Sequence, residues 1–263
     1  MEFESVTLDI ADHIAVVTLN DPETLNAVSS AMLTGLRAAL DEVERDGSDA
    51  RCLVLTGAGR GFSSGANLAE DMGPSDGVPD LGARLDKFYH PALERLHRLN
   101  IPIVTAVNGP AVGIGMSFAL MGDIVLMARS AYFMLAFRRI GLVPDGGSTW
   151  LLPRLIGLQR AKELALLGDK LMPDQAHAWG LVNRVCDDDA LMGAARELAI
   201  RLATGPTLAL GRMRNLFNQG TDSTYEEQLR REHEAQTAMG HTADFMEGVT
   251  AFLEKRDARF EGR

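Results

Sequence analysis

The run Ile101-Pro102-Ile103-Val104-Thr105-Ala106-Val107-Asn108-Gly109-Pro110-Ala111-Val112-Gly113-Ile114-Gly115-Met116-Ser117-Phe118-Ala119-Leu120-Met121-Gly122 carries no charge and is long enough to span a bilayer. Its interior argues against that use. Pro102, Asn108, Gly109, Pro110, Gly113 and Gly115 would leave broken backbone in lipid, where every N–H and C=O needs an internal partner. A buried strand over 103–107, a glycine turn and a short buried helix around 114–121 suit the same residues, with a strand from Ile124 to Ala128 after them. No membrane association is expected.

The same unit occurs upstream. Arg51 to Thr56 reads as a short apolar strand, closed by Gly57-Ala58-Gly59-Arg60-Gly61 and leading towards a helix. Strand, glycine turn and helix thus recur near 53–70 and 103–121, which suggests a repeated supersecondary unit. Before the first unit, Val6 to Ile10 and Ile14 to Leu19 read as strands joined by a turn, and Ser29 or Ser30 can cap a helix reaching about Glu44. Residues 68–80, with Gly73, Pro74, Gly77 and Pro79, read as a loop, followed by a helix from Leu81 to Leu99. From Gly146 the pattern is mainly helical, with one short strand over Leu181 to Val185. Three helices near 206–218, 223–238 and 242–256 carry apolar faces, and such faces are used by packing on the body or on another subunit. The expected division is a core over 1–205 and a helical oligomerisation region over 206–263.

Bulk composition narrows the function classes. The 263 residues are 46% hydrophobic and 24% charged, the balance of a folded, water-soluble chain. A net charge of −10 repels nucleic acid in general. An anionic ligand would need local positive charge or backbone donors. Cys52 and Cys186 are far apart and read as buried free thiols, and the acidic start lacks the order of a signal peptide. A reducing, cytoplasmic setting is the expectation.

Three motifs compete for attention. Gly57-x-Gly59-x-Gly61 follows a strand, but the third glycine of a dinucleotide loop falls on Phe62. Gly61-Phe62-Ser63-Ser64-Gly65 satisfies G-x-S-x-G, and Asp145 and His177 follow in the order a serine hydrolase needs. Yet no strand feeds directly into Ser63. His90, Glu94 and His97 share a helix face, at a spacing that is not the usual helical zinc pair. No metal is expected. The glycine turns at 57–65 and 109–115 can each present free N–H groups at a helix start, and two such turns converging would suit a developing anion.

Gly61 to Leu68, Gly61-Phe62-Ser63-Ser64-Gly65-Ala66-Asn67-Leu68, resembles the crotonase segment F-(C/S)-A-G-A-D-L. Ala106 to Gly115 resembles the second signature of that family, and Ala131 to Pro153, with Gly141-Leu142-Val143-Pro144-Asp145-Gly146-Gly147, resembles the third. The tail Glu247-Gly248-Val249-Thr250-Ala251-Phe252-Leu253-Glu254-Lys255-Arg256 resembles its C-terminal E-G-x-x-A-F-x-E-K-R. Order and spacing agree over essentially the whole chain, so the chain is identified as a member of the crotonase, or enoyl-CoA hydratase/isomerase, family.

The resemblance implies an α/β crotonase-like fold of repeated ββα units with a helical C-terminal region. It implies an acyl-CoA thioester substrate, with coenzyme A as part of the substrate and no separate cofactor. Backbone N–H groups of Ala66 and Ile114 would hold the thioester oxygen. Gly65, Leu68, Gly113 and Phe137 would line the substrate site, and Phe252 and Lys255 would meet ligand from a neighbouring subunit of a homotrimer or homohexamer. Arg60 is a further phosphate candidate. The two hydratase glutamates are replaced by Ser117 and Phe137, which puts two-carboxylate water addition in doubt. Asp145 occupies the position of the carboxylate in phenylacetate-pathway-type isomerases, although a helix cap is its simpler use. Isomerisation through an enolate is the leading reading. Hydration by another route, an Asp145 nucleophile attacking a thioester or C–X bond, and a non-catalytic acyl-CoA-binding protein are the alternatives. The role of Asn67 is not given by the pattern.

Overall fold

The computed structural model describes residues 1–71 and 80–263. Nine strands are present among the described residues: β1 (Glu2–Phe3), β2 (Val6–Ala11), β3 (Ile14–Leu19), β4 (Cys52–Gly57), β5 (Ile103–Val107), β6 (Ala111–Val112), β7 (Ile124–Ala128), β8 (Phe133–Met134) and β9 (Arg184–Cys186). Seven form one sheet in the order β1-β2-β3-β4-β5-β7-β9, while β6 and β8 pair separately. The first three are antiparallel and the rest of the sheet is parallel. Every residue of β4 and β5 is buried. Unbroken apolar runs are what a parallel strand covered on both faces requires.

The Ser30–Glu44 helix packs on β1, β2 and β3, and the Leu191–Ala203 helix packs on β4, β5 and β7. Ser29 caps the first of these, its hydroxyl accepting the Met32 N–H at 3.1 Å. Met32, Leu36, Ala39, Leu40 and Val43 bury one stripe of that helix, as the spacing predicts.

Four sequence readings change. The loop expected over 68–80 begins with a one-turn helix, Leu68–Asp71; residues 72–79 lie outside the described residues. The helix expected from Leu81 to Leu99 holds a π turn, Leu85–Tyr89, between α segments Leu81–Arg84 and His90–Arg98. The strand expected over 181–185 starts late, at Arg184. Leu181 and Val182 are buried, but they follow the left-handed cap at Gly180 and precede the ladder. Cys186, expected buried, is half-buried on edge strand β9, whereas burial pushes the fully enclosed Cys52 thiol up to about 12.

The C-terminal helices Thr207–Gly220, Tyr225–Met239 and Ala243–Glu254 are tied to the body by two arginines. Arg51 donates to Thr207 Oγ1 and the Gly205 carbonyl at 2.6 Å each, and to the Phe260 carbonyl at 3.1 Å. Arg214, 7% exposed, pairs with Asp123 at 2.8 Å and donates to the carbonyls of Leu96, His97 and Leu99 at 2.7–2.9 Å. Those carbonyls end the His90–Arg98 helix, so a buried cation satisfies a helix C-terminus. Among the described residues no helix is long and apolar enough to cross a membrane.

Candidate active site

The two glycine turns meet. The Phe62 and Ser63 N–H groups both donate to the Pro110 carbonyl, at 3.1 and 3.0 Å, and the Val112 N–H returns to the Ser63 carbonyl at 2.9 Å. Asn26 fastens the first turn from below, its amide donating to the Ala58 and Gly61 carbonyls at 2.9 and 2.8 Å. Asn108 does the same from the second, donating to the Gly59 carbonyl at 3.0 Å. Gly65 adopts φ +99°, and a Cβ there would lie 2.9 Å from the Val112 oxygen. Only glycine allows both that backbone and that approach.

Beyond the junction lies a cavity of about 370 Å³. Gly65, Ala66 and Leu68 line it from the first turn, Gly113 and Ile114 from the second, and Phe137 and Asp145 from the third expected segment. Seven residues from three stretches of sequence are thereby brought together. Among the described residues, neither the Ala66 nor the Ile114 N–H is used in a hydrogen bond. Ile114 opens its helix, where the N–H has no intrahelical acceptor by construction. Two donors of this kind beside a carboxylate can stabilise an oxygen anion while a proton is moved.

Asp145 sits in the turn Pro144-Asp145-Gly146-Gly147 that leads into the Ser148–Ile156 helix. Gly147 is the N-cap residue of that helix, two positions after Asp145. The main chain of Asp145 ties down the turn: its carbonyl accepts the Ser148 N–H at 3.0 Å, the Ser148 hydroxyl at 2.8 Å and the Ser117 hydroxyl at 3.3 Å. Ser117 is fully buried, and Phe137 forms part of the apolar wall.

Phe252 and Lys255 are not brought to this cavity. Phe252 is 82% exposed and lines a separate groove of about 600 Å³ between the C-terminal helices; Lys255 follows at the left-handed end of the Ala243–Glu254 helix. Arg60 is exposed and does not line the cavity. Ser63 is wholly buried and donates to the Asn26 carbonyl at 2.8 Å, so it presents no nucleophile. His90 faces Asp86 at 3.0 Å, and His97 packs edge-on against Trp150. Burial, with Arg214 and Arg98 nearby, holds the His97 imidazole below its ordinary pKa.

Several wall residues escape the sequence pattern. Leu81, Leu85 and Tyr89 line the cavity from the helix with the π turn. Tyr89 is 3% exposed, and its hydroxyl donates to the Val28 carbonyl at 3.2 Å. Val28 also receives the Asn67 N–H and donates to the Gly65 carbonyl, so one short segment braces both sides of Ala66. Asn67 gains a role here: its side chain accepts the Glu70 N–H at 3.3 Å, capping the Leu68–Asp71 turn.

A family model described as Enoyl-CoA hydratase/isomerase matches residues 9–263. The chain belongs to the enoyl-CoA hydratase/isomerase family. It is 46% identical over 264 residues to a 1,2-epoxyphenylacetyl-CoA isomerase of Escherichia coli (strain K12), covering 100% of both chains. It is 40% identical over 263 residues to a probable enoyl-CoA hydratase of Rhodobacter capsulatus, again covering 100% of both. The solved structure of a putative enoyl-CoA hydratase/isomerase from Mycobacterium abscessus superposes with a TM-score of 0.91 at 35% identity, over 98% of this chain and 100% of that one. Relatives within the family carry both isomerase and hydratase names.

Proposed function

We propose that the protein is an acyl-CoA isomerase that works through an enolate, with Asp145 as the acid/base. One observation carries the reading: among the described residues, Asp145 is the only aspartate or glutamate lining the cavity that Ala66 and Ile114 share. With a 3-enoyl thioester, the Asp145 carboxylate takes a proton from C2. The electron pair of that C–H bond moves into the thioester carbonyl, whose oxygen lies against the Ala66 and Ile114 N–H groups. The C3–C4 double bond then shifts to C2–C3 as the carboxylic acid returns the proton at C4. No water enters the balance. A ring-acyl thioester can be handled by the same donors, and the 46% identity to an epoxyphenylacetyl-CoA isomerase supports that substrate class. No cofactor beyond the coenzyme A of the substrate enters this scheme.

The C-terminal helices complete the reading. Phe217, Tyr225, Phe252 and Leu253, all on the C-terminal helices, are 73–82% exposed, and large apolar side chains left in water suit an interaction surface. A trimer, or a pair of trimers, would cover it and carry Phe252 and Lys255 to a neighbour's ligand, with residues 206–263 as the oligomerisation region. The free thiols of Cys52 and Cys186 suit a cytoplasmic setting.

The test is turnover of a 3-enoyl-CoA to its conjugated isomer, followed by ultraviolet absorbance, in wild type and Asp145→Asn. The expected loss is about a hundred- to ten-thousandfold, the usual worth of a positioned acid/base. Hydration of a 2-enoyl-CoA is the control, because one relative is named a hydratase. Hydration that survives the substitution, or isomerisation that does, would remove Asp145 from the mechanism.

A further inference from the structure

Ser117 occupies an unusual place for a core serine. It lies three residues after Ile114 on the Ile114–Ala119 helix and is fully buried. Residues three apart share a helix face, so Ser117 faces the same side as the residue offering the second N–H donor. A buried helical serine ordinarily returns its hydroxyl to its own helix, at the carbonyl four residues back. Here the hydroxyl instead donates to the Asp145 carbonyl, 28 residues away in sequence, at 3.3 Å.

The other donors to that carbonyl are local. Both come from Ser148, through its N–H at 3.0 Å and its hydroxyl at 2.8 Å. They close the turn on itself and say nothing about where the turn sits. Ser117 is the donor that ties it to the helix of Ile114. Packing reinforces the tie. Gly146 adopts φ +59°, and a Cβ there would lie 2.9 Å from both Ile114 Cγ1 and Ser117 Oγ. The turn is therefore seated directly on those two side chains.

We propose that Ser117, assisted by Ser148, is a positioning residue that registers the Asp145 carboxylate against the Ile114 N–H by holding the Asp145 main chain. The inference rests on the reading of Asp145 as the acid/base. It also gives a physical role to the place where the hydratase pattern has a glutamate: the serine does no proton transfer but fixes the group that does. Misplacing a reacting group by an ångström can cost about a hundredfold. Removing one long hydrogen bond while Ser148 still holds the turn should cost less, about tenfold.

The experiment compares wild type, Ser117→Ala, Ser148→Ala and Asp145→Asn, using a 3-enoyl-CoA deuterated at C2. Ser117→Ala should lower kcat about tenfold with KM and the affinity for a saturated acyl-CoA within twofold. It should also carry less deuterium from C2 to C4, because a loosened carboxylate loses its label to water before the return step. Ser148→Ala should show a smaller change of the same kind. A merely structural serine would lower thermal stability without changing the label carried. If both serine variants keep the wild-type kcat and label transfer while Asp145→Asn is inactive, the positioning role falls and the acid/base reading stands. If Asp145→Asn itself isomerises at the wild-type rate, the acid/base reading falls and the positioning role with it.

Discussion

Replacing Ile114 with proline deletes one N–H and leaves the other donor and the carboxylate in place. Proline is well suited to the first position of a helix, where the N–H has no intrahelical partner and φ near −65° is already required. The residue before it is Gly113, at φ 53° and ψ −124°. That is the mirror image of the extended conformation that residues before proline adopt, and glycine occupies both forms equally. Losing a donor to a developing oxyanion costs about a hundred- to a thousandfold in kcat, roughly 2.7–4 kcal/mol. The substitution also removes most of a side chain that is 1% exposed, and truncating a buried isoleucine costs stability by roughly 2–5 kcal/mol. Ile114→Ala separates the two effects, since it empties the same space and keeps the N–H. Both variants should melt below wild type, and Ile114→Pro should be slower than Ile114→Ala by about two orders of magnitude in the 3-enoyl-CoA absorbance assay. A proline variant within about fivefold of the alanine variant, both folded, would refute the claim that this N–H stabilises the enolate.

Arg214→Met should be among the more damaging substitutions remote from the cavity, because it takes the cation from the partly exposed Asp123 and the donor from the Leu96, His97 and Leu99 carbonyls, and each buried acceptor left unsatisfied costs roughly 1–3 kcal/mol. At about 2–4 °C per kcal/mol for a chain this long, the melting temperature should fall by roughly 10 °C or more. Burial raises the Asp123 pKa and Arg214 opposes that rise, so the gap between variant and wild type should narrow as pH falls and Asp123 takes up its proton. Glu247 behaves in the opposite sense. Hydrogen bonds from Arg256 at 2.6 and 2.9 Å and from the Arg259 N–H at 2.8 Å hold its carboxyl near 2, against an ordinary 4.5. A lowered carboxyl stabilises the fold above its unfolded pKa and loses that contribution as pH falls through the folded value. Amide hydrogen exchange at Arg259, corrected for intrinsic pH dependence, should therefore accelerate between pH 4.5 and about 2, and Glu247→Gln should abolish that dependence.

How far the chain could be read beforehand follows from the range of the forces involved. The strands over Ile14–Leu19 and Ile103–Val107 were legible because both are apolar runs closed by turn residues, and the Ser29 cap because capping is local. The π turn at Leu85–Tyr89 was not. One extra residue in a turn shifts the phase of an apolar stripe slightly, and the flanking α segments hide the slip. Asn26 was missed because its partners, Ala58 and Gly61, lie 32 and 35 residues away. No spacing rule reaches that far. Leu181 and Val182 were misread for a related reason: burial alone does not say whether an apolar pair belongs to a ladder or to the chain entering it. Asp145 is the instructive case. Its local pattern favoured a helix cap, and resemblance to a family favoured catalysis. The structure adds a fact neither contained, that Gly147 takes the cap position while Asp145 lines the cavity.

The division between backbone and side chain explains how one site can support different reactions. The two N–H donors come from turns fixed by packing that tolerates only glycine at Gly65, and by a helix start whose orphan N–H exists whatever side chain follows. Ile114 can therefore replace a smaller residue without removing the donor. Reaction choice then falls on the few side chains that face the donors. Phe137 lines the cavity with a ring that cannot activate water, and Leu85, Tyr89, Leu142 and Val143 add apolar or half-apolar wall, with Arg84 beside them. On the proposed reading Asp145, the only carboxylate in that lining among the described residues, both removes and returns the proton, which one group within reach of C2 and C4 can do without a second acid/base.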